Sequence, residues 1–306
     1  MTATTANGIT IEYESLGNPA DPAIVLIMGL GMQLVAWPDE LCRRLVAAGF
    51  RVVRFDNRDS GLSSRVRGRR SLGVVLAMIA ARLGLPVRAA YRLEDMARDT
   101  VGLLDALGIE RAHVVGASMG GMIAQLLAAR FPERVRSLTS MMSTTGNRAV
   151  SRPKKRALQI LLDRPPAGAD AERVIAHFVD VFTVIGSPDH PTERQELTRR
   201  IGAWVRRAYD PAATARQMVA IIAGGDRRRL LRTIAAPTLV IHGADDPLVP
   251  LEAGRDTARV VPGAGLLVIE GMGHDLPDFA LPALADAIAK HCRAADAGGA
   301  VPGARA

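Results

Sequence analysis

Short apolar runs alternate with longer amphipathic stretches along this chain, and their order predicts an α/β architecture with a mostly parallel central sheet and helices on both faces. The runs Ala23 to Met28, Arg51 to Asp56, His113 to Val115 and Val135 to Met142 are short and nearly continuous in apolar side chains, as strands buried on both faces are. Ile9 to Leu16 alternates instead and predicts part of an early hairpin. From Gly146 to about Thr233 no β-run occurs. Helical periodicity appears there around Lys154 to Leu162, Ala171 to Phe182, Glu193 to Tyr209 and Ala212 to Ile222, broken at Arg164-Pro165-Pro166, Ser187-Pro188 and Asp210-Pro211. Strand patterns resume at Pro237 to Gly243 and Gly265 to Glu270, followed by a helix from about Leu281 to Cys292. The chain therefore divides into a first core segment (1–145), an inserted helical cap (146–233), a second core segment (234–293) and a Gly/Ala/Pro-rich tail (294–306) expected to be disordered.

One segment falls outside this alternation. Within 66–92, Ser71 to Leu85 is rich in Leu, Val, Ile and Met and precedes Pro86. It reads equally as a lid helix closing over an apolar acyl group and as a surface helix packed on the cap. Its apolar stretch Leu72 to Ala81 is the longest in the chain and stops at Arg82, well short of the roughly 20 residues needed to cross a bilayer. The first eight residues carry neither a basic region nor an apolar run, so no signal peptide is expected and cytoplasmic residence is the default.

Charge changes the picture little. The formal net charge is +8, and its whole excess lies in the cap, where 17 basic and nine acidic residues stand between 146 and 233. A one-signed patch can draw anionic substrates or an anionic lipid surface. Arginine nevertheless outnumbers lysine 36 to 3 throughout, so a solvated helical face accounts for the same excess. Aromatic residues make up 4% of the chain and no nucleic-acid recognition motif occurs. Cys42 and Cys292 have no metal-ligand spacing and form no disulfide framework; both are expected to be reduced.

The candidate chemistry begins at Gly116-Ala117-Ser118-Met119-Gly120-Gly121, between a strand pattern and the helical run from Met122. A serine at the apex of a strand-turn-helix needs a strained backbone and neighbours small enough for strand and helix to approach closely, which Gly116, Gly120 and Gly121 permit. The turn lifts the hydroxyl above the sheet edge and sets the Met119 amide at a helix start, where it can donate to an oxyanion. A serine hydroxyl needs a base, and the base a carboxylate to orient it. His274 lies in Gly271-Met272-Gly273-His274 after one strand pattern, and Asp245 and Asp246 end the turn after another. Both positions follow strand C-terminal ends, where an open α/β sheet collects its chemistry. The other histidines have structural readings: His113 and His242 within strands, His177 and His190 in the polar cap, and His291 near the end of the last helix.

The order Ser118, Asp246, His274 resembles that of the α/β-hydrolase superfamily, and the chain is similar to bacterial carboxylesterases of the aclacinomycin methylesterase type over nearly its whole length. The resemblance places the acid at the third residue after the strand-end glycine, which selects Asp246 over Asp245. Val25-Leu26-Ile27-Met28-Gly29-Leu30-Gly31 resembles that family's oxyanion loop in a Met-Gly form, with Met28 where histidine is commoner, and implies that Leu30 supplies the second oxyanion amide beside Met119. Phe55 to Ser63 resembles the D-x-R-G-x-G-x-S loop, with Asp59 where glycine is usual. Met28, Gly29, Gly31 and Met142 are the expected substrate-binding positions, Met28 and Met142 being among several methionines able to form an adaptable pocket.

These expectations converge on a serine carboxylesterase acting on a small-molecule ester of short to medium chain length, with no cofactor and no metal. The same triad would also serve a lactonase, a thioesterase, a C–C bond hydrolase or a haloperoxidase-like perhydrolase. Ser118 at the elbow argues against an epoxide hydrolase or a haloalkane dehalogenase, which use aspartate there. Oligomeric state is not readable from the chain.

Overall fold

The apolar runs become strands of one sheet in the computed structural model, which describes residues 1–298 except 67, 69, 70, 164, 166 and 167. Among the described residues the strands are β1 (Thr2–Ala6), β2 (Ile9–Leu16), β3 (Ala23–Ile27), β4 (Arg51–Phe55), β5 (Ala112–Ala117), β6 (Val135–Met141), β7 (Thr238–Gly243) and β8 (Gly265–Ile269). They lie in the order β1-β2-β4-β3-β5-β6-β7-β8. The β1–β2 and β2–β4 pairings are antiparallel, and every pairing from β4 to β8 is parallel.

Side-chain alternation divides the core between two faces. Ala23, Val25 and Ile27 of β3 join one apolar cluster, while Ile24 and Leu26 join the other. α3 (Leu93–Ala106) and α4 (Met119–Arg130) close the first face; α1 (Asp39–Ala47) and α11 (Leu281–Asp296) close the second. α4 is buried from Met119 to Ala128 on all sides, as a helix apolar around its circumference should be. α10 (Leu251–Val260) links β7 to β8.

Between β6 and β7 the chain inserts α5 (Lys155–Leu162), α6 (Ala171–Ile185), α7 (Arg194–Arg207), α8 (Pro211–Gly224) and α9 (Arg228–Leu231). Val174, Ile175 and Val179 of α6 pack on Ile201, Trp204 and Val205 of α7, and the Phe178 ring meets Trp204 edge-on at 4.8 Å between centroids. Arg164 and Pro166, in the break expected between the first two cap helices, lie outside the described residues. Part of the cap's positive excess is directed inward: Arg200, Arg207 and Arg216 pair with Asp278, Asp56 and Asp59 outside the insertion.

The structure completes the expected hairpin, lengthens the last helix and places the extra apolar segment. The hairpin pairs Ile9–Leu16 with Thr2–Ala6 through a turn with positive φ at both Asn7 and Gly8, the geometry an Asn-Gly hairpin favours. The last helix does not stop at Cys292 but continues to Asp296, whose carboxylate takes Arg136 at 3.0 Å and His113 at 3.3 Å. These contacts order the start of the expected tail; residues 299–306 lie outside the described residues. Within the expected lid segment, α2 (Val74–Arg82) packs Val74 and Ala77 on Val219 of α8 and leaves Val75, Leu76 and Ile79 exposed. Cys42 and Cys292 are free and buried, and desolvation pushes their thiols up to about 11 and about 12. Among the described residues no helix is long and apolar enough to cross a membrane.

Candidate active site

Ser118 has φ +56° and ψ −118°, a backbone conformation that residues with side chains rarely adopt. Its neighbours hold it there. The Ser118 N–H donates to the Met141 carbonyl at 2.9 Å, and its carbonyl accepts from Gly121 N–H at 3.0 Å and from the Ser143 hydroxyl at 2.8 Å. A Cβ on Gly116 would fall on the Gly120 carbonyl, and one on Gly120 would fall on the Ile27 carbonyl. One on Gly121 would stand 2.6 Å from Ser143 Cβ. The turn therefore closes only with glycine at these positions. Met119 is the first residue of α4, so its N–H is among those a helix leaves without an intrahelical acceptor.

His274 Nε2 lies 3.0 Å from Ser118 Oγ, and its Nδ1 lies 2.7 Å from Asp246 Oδ2. The structure brings together all three residues selected from sequence. Asp246 is buried and its Oδ1 accepts from Leu248 N–H at 2.9 Å and Val249 N–H at 2.8 Å. Asp245 is only half-buried, and its N–H donates to the Met272 carbonyl at 3.1 Å. His242 is also close to Asp246, at 3.7 Å, but its Nε2 sits 2.8 Å from the Val249 carbonyl. Burial pushes the His242 imidazole below its ordinary range, so it stays neutral and donates to that carbonyl, leaving His274 as the partner of the carboxylate.

The cap secures the histidine loop. His274 N–H donates to the Ile185 carbonyl at the end of α6 at 2.7 Å. Ser187 accepts from Gly273 N–H at 3.0 Å and donates to Asp275 Oδ1 at 2.7 Å; burial pushes the Asp275 carboxyl above the usual carboxylate range. A Cβ on Gly273 would collide with the Gly186 carbonyl, so that glycine admits the cap backbone.

The loop after β3 passes directly over the serine. A Cβ on Gly29 would be 3.2 Å from Ser118 Cβ. Met32 N–H donates to the Gly29 carbonyl at 3.2 Å, and Gly31 has φ +68°, so Gly29 to Met32 form a turn with its left-handed residue at the third position. Met28 and Met142 are buried in the second core cluster, Met142 at φ +41° with its N–H on the Ile241 carbonyl. Asn57 donates to the Met28 carbonyl at 2.9 Å, Gln217 Oε1 accepts from Gly31 N–H at 2.7 Å, and Asp56 accepts from Leu34 N–H at 2.7 Å. Sequence reasoning missed Asn57, Gln217 and Ser187. Asn57 was within reach, since it lies in the recognised Asp56–Ser63 loop; the two cap residues carry no local signal.

The α/β hydrolase fold family model matches residues 22–280. The chain is 32% identical to rhodomycin D methylesterase DauP of Streptomyces sp. (strain C5), over 95% of this chain and 97% of that protein. It is also 32% identical to a 2-hydroxymuconate semialdehyde hydrolase of Pseudomonas putida, over 62% of this chain and 65% of that one. Among solved structures, a mutant of the meta-cleavage product hydrolase CumD of Pseudomonas fluorescens IP01, complexed with acetates, superposes with a TM-score of 0.74 at 19% identity, covering 96% of this chain and 98% of that chain. The glycine-framed elbow, the parallel sheet beneath it and a family match across most of the length agree: the chain belongs to the α/β-hydrolase fold family.

Proposed function

We propose that the protein is a serine carboxylesterase that cleaves a small-molecule ester of short to medium chain length through an acyl-serine intermediate. The observation that carries this reading is the continuous hydrogen-bond chain from Ser118 Oγ through His274 to Asp246. His274 Nε2 takes the hydroxyl proton as Ser118 Oγ attacks the ester carbonyl, and the amides of Met119 and Leu30 receive the developing oxyanion. Asp246 holds the Nδ1–H tautomer and stabilises the imidazolium. The imidazolium then protonates the leaving alcohol. Water, deprotonated by His274, attacks the acyl-enzyme, and the proton returns to Ser118 as the acid leaves. Substrate and water balance both steps. General acid–base catalysis of this kind supplies about 100- to 10,000-fold of rate.

Near-full-length similarity to a methylesterase supports an ester as the electrophile. Similarity to a semialdehyde hydrolase over a shorter span supports a second reading, cleavage of a C–C bond next to a carbonyl by the same residues. The cap over the strand ends supports a bounded acyl site, with Met28, Gly29, Gly31 and Met142 as its proposed contacts. A panel of chromogenic esters from acetate to long acyl chains, run beside lactones, acyl-thioesters and a vinylogous diketone, tests the class. Highest turnover is expected on short to medium esters; preference for the diketone would install the second reading. A fluorophosphonate probe should label Ser118, fail on Ser118→Ala and react far more slowly with folded His274→Ala. Undiminished labelling of Ser118→Ala would place the nucleophile elsewhere.

A further inference from the structure

The Met28–Gly31 segment has methionine where histidine is commoner in the resembling loop, yet its backbone is held on both sides. The Gly29–Leu30 peptide is pinned through its carbonyl, which accepts from Met32 N–H at 3.2 Å. The Leu30–Gly31 peptide is pinned through Gly31 N–H, which donates to Gln217 Oε1 at 2.7 Å. With both flanking peptide planes fixed, φ and ψ of Leu30 are fixed, and so is the direction of the Leu30 amide. Gln217 is fully buried, and its Nε2 donates to the Arg58 carbonyl at 2.8 Å and lies 3.0 Å from Ser60 Oγ. Its carboxamide is therefore held in one orientation, with the oxygen toward Gly31.

Gln217 belongs to the cap, and its neighbour explains how a cap helix keeps this register. Arg216 forks onto both oxygens of Asp59 at 2.8 Å each. Asp59 stands at φ +64°, the position where glycine is usual in the resembling loop, and is held further by Tyr91 O–H at 2.8 Å and Val66 N–H at 2.9 Å. A bidentate arginine–carboxylate pair is directional as well as attractive. Adjacent residues of α8 thus grip the two loops beside the serine: Arg216 grips the Asp56–Ser63 loop, and Gln217 the turn over Ser118.

We propose that Gln217 is a positioning residue for catalysis, aiming the Leu30 amide at the oxyanion from the cap, and that the Asp59–Arg216 pair sets the helix that carries it. The assignment rests on the serine-hydrolase reading and goes beyond it by making the cap part of the oxyanion hole's support. Preorganised donors act on the transition state far more than on bound substrate. Loss of Gln217 is therefore read in kcat and not in KM.

The test measures kcat and KM on one chromogenic ester, together with Ki for a trifluoromethyl ketone and its methyl ketone parent; the fluorinated ketone adds to Ser118 as an oxyanion. Gln217→Met keeps the volume and removes the acceptor. It should lower kcat by about 10- to 100-fold with KM within about threefold, and weaken the fluorinated ketone by the same factor. Gln217→Glu retains an acceptor for Gly31 N–H but loses the donor to the Arg58 carbonyl, and its kcat should fall between those of Gln217→Met and the wild type. Asp59→Asn leaves Gln217 in place and should show the same signature at about 3- to 10-fold, which keeps the idea testable if Gln217→Met does not fold. Wild-type kcat and ketone affinity in folded Gln217→Met, or a loss confined to KM, would overturn the assignment while leaving the hydrolase reading intact. A wild-type protein that turns over no ester and binds the two ketones equally would overturn both.

Discussion

One oxygen of the Asp246 carboxylate lies 2.7 Å from Nδ1 of His274, while the other is committed to the amides of Leu248 and Val249. The two oxygens thus have separate tasks, one structural and one directed at the imidazole. Asp246→Asn can keep the first, because a carboxamide oxygen still accepts both amide protons, and loses the second. It should fold normally and lower kcat by about 10,000-fold through loss of the correct tautomer. Asp245→Asn should stay within about twofold, since Asp245 is tied to the histidine loop through its backbone N–H. Steady-state kinetics on the two variants decide the matter; a reversed pattern would move the acid by one residue.

The elbow, the base and the acid were legible because each signal is local: a strand pattern, its C-terminal end, and glycines within two or three residues. The contacts that tie the cap to the site were not. Gln217 is 186 residues from Gly31, and Arg216 is 157 from Asp59. On the chain these are two polar side chains on an amphipathic helix, and only the fold turns them toward the core. β1 escaped for a different reason. Its first four residues are exposed or half-buried, so it carries no apolar alternation, and the turn signal in Asn7-Gly8 went unread. The end of α11 was hidden by composition: Ala294 and Ala295 suit a tail as well as a helix, and the contacts of Asp296 with Arg136 and His113 are tertiary.

The elbow glycines make a stability prediction. Gly120→Ala would drive a methyl group into the Ile27 carbonyl at the centre of the sheet, where neither backbone can retreat. Destabilisation of about 3 kcal/mol is expected. Gly73→Ala is the control: it has φ −65° and open space around the new carbon, and should cost no more than about 1 kcal/mol, the loss of a glycine at the N-cap of α2. Urea unfolding monitored by circular dichroism measures both. Equal midpoints for the two variants would mean that the strand–helix contact at Gly120 is looser than these distances require.

The last prediction concerns pH. His291 is buried on α11, its Nε2 donates to the Leu138 carbonyl at 3.1 Å, and its Nδ1 is buried with no partner among the described residues. Desolvation pushes its imidazole down to about 4. The unfolded chain, with an ordinary histidine near 6.5, takes up the proton first as pH falls. Stability is therefore untouched by this group above about pH 6.5, declines through the interval down to 4, and levels off below it. At pH 5 the loss should be about 2 kcal/mol. Burial pushes His113 and His242 in the same direction, so the wild type alone cannot isolate the effect. His291→Gln keeps a donor for the Leu138 carbonyl and does not titrate. Unfolding free energies at pH 7.5 and pH 5.0 should fall by about 2 kcal/mol more in the wild type than in His291→Gln. Parallel decline in the two proteins would show that His291 accepts its proton in the folded state as readily as in the unfolded chain, and that the packing of α11 on β6 is open enough to hydrate it.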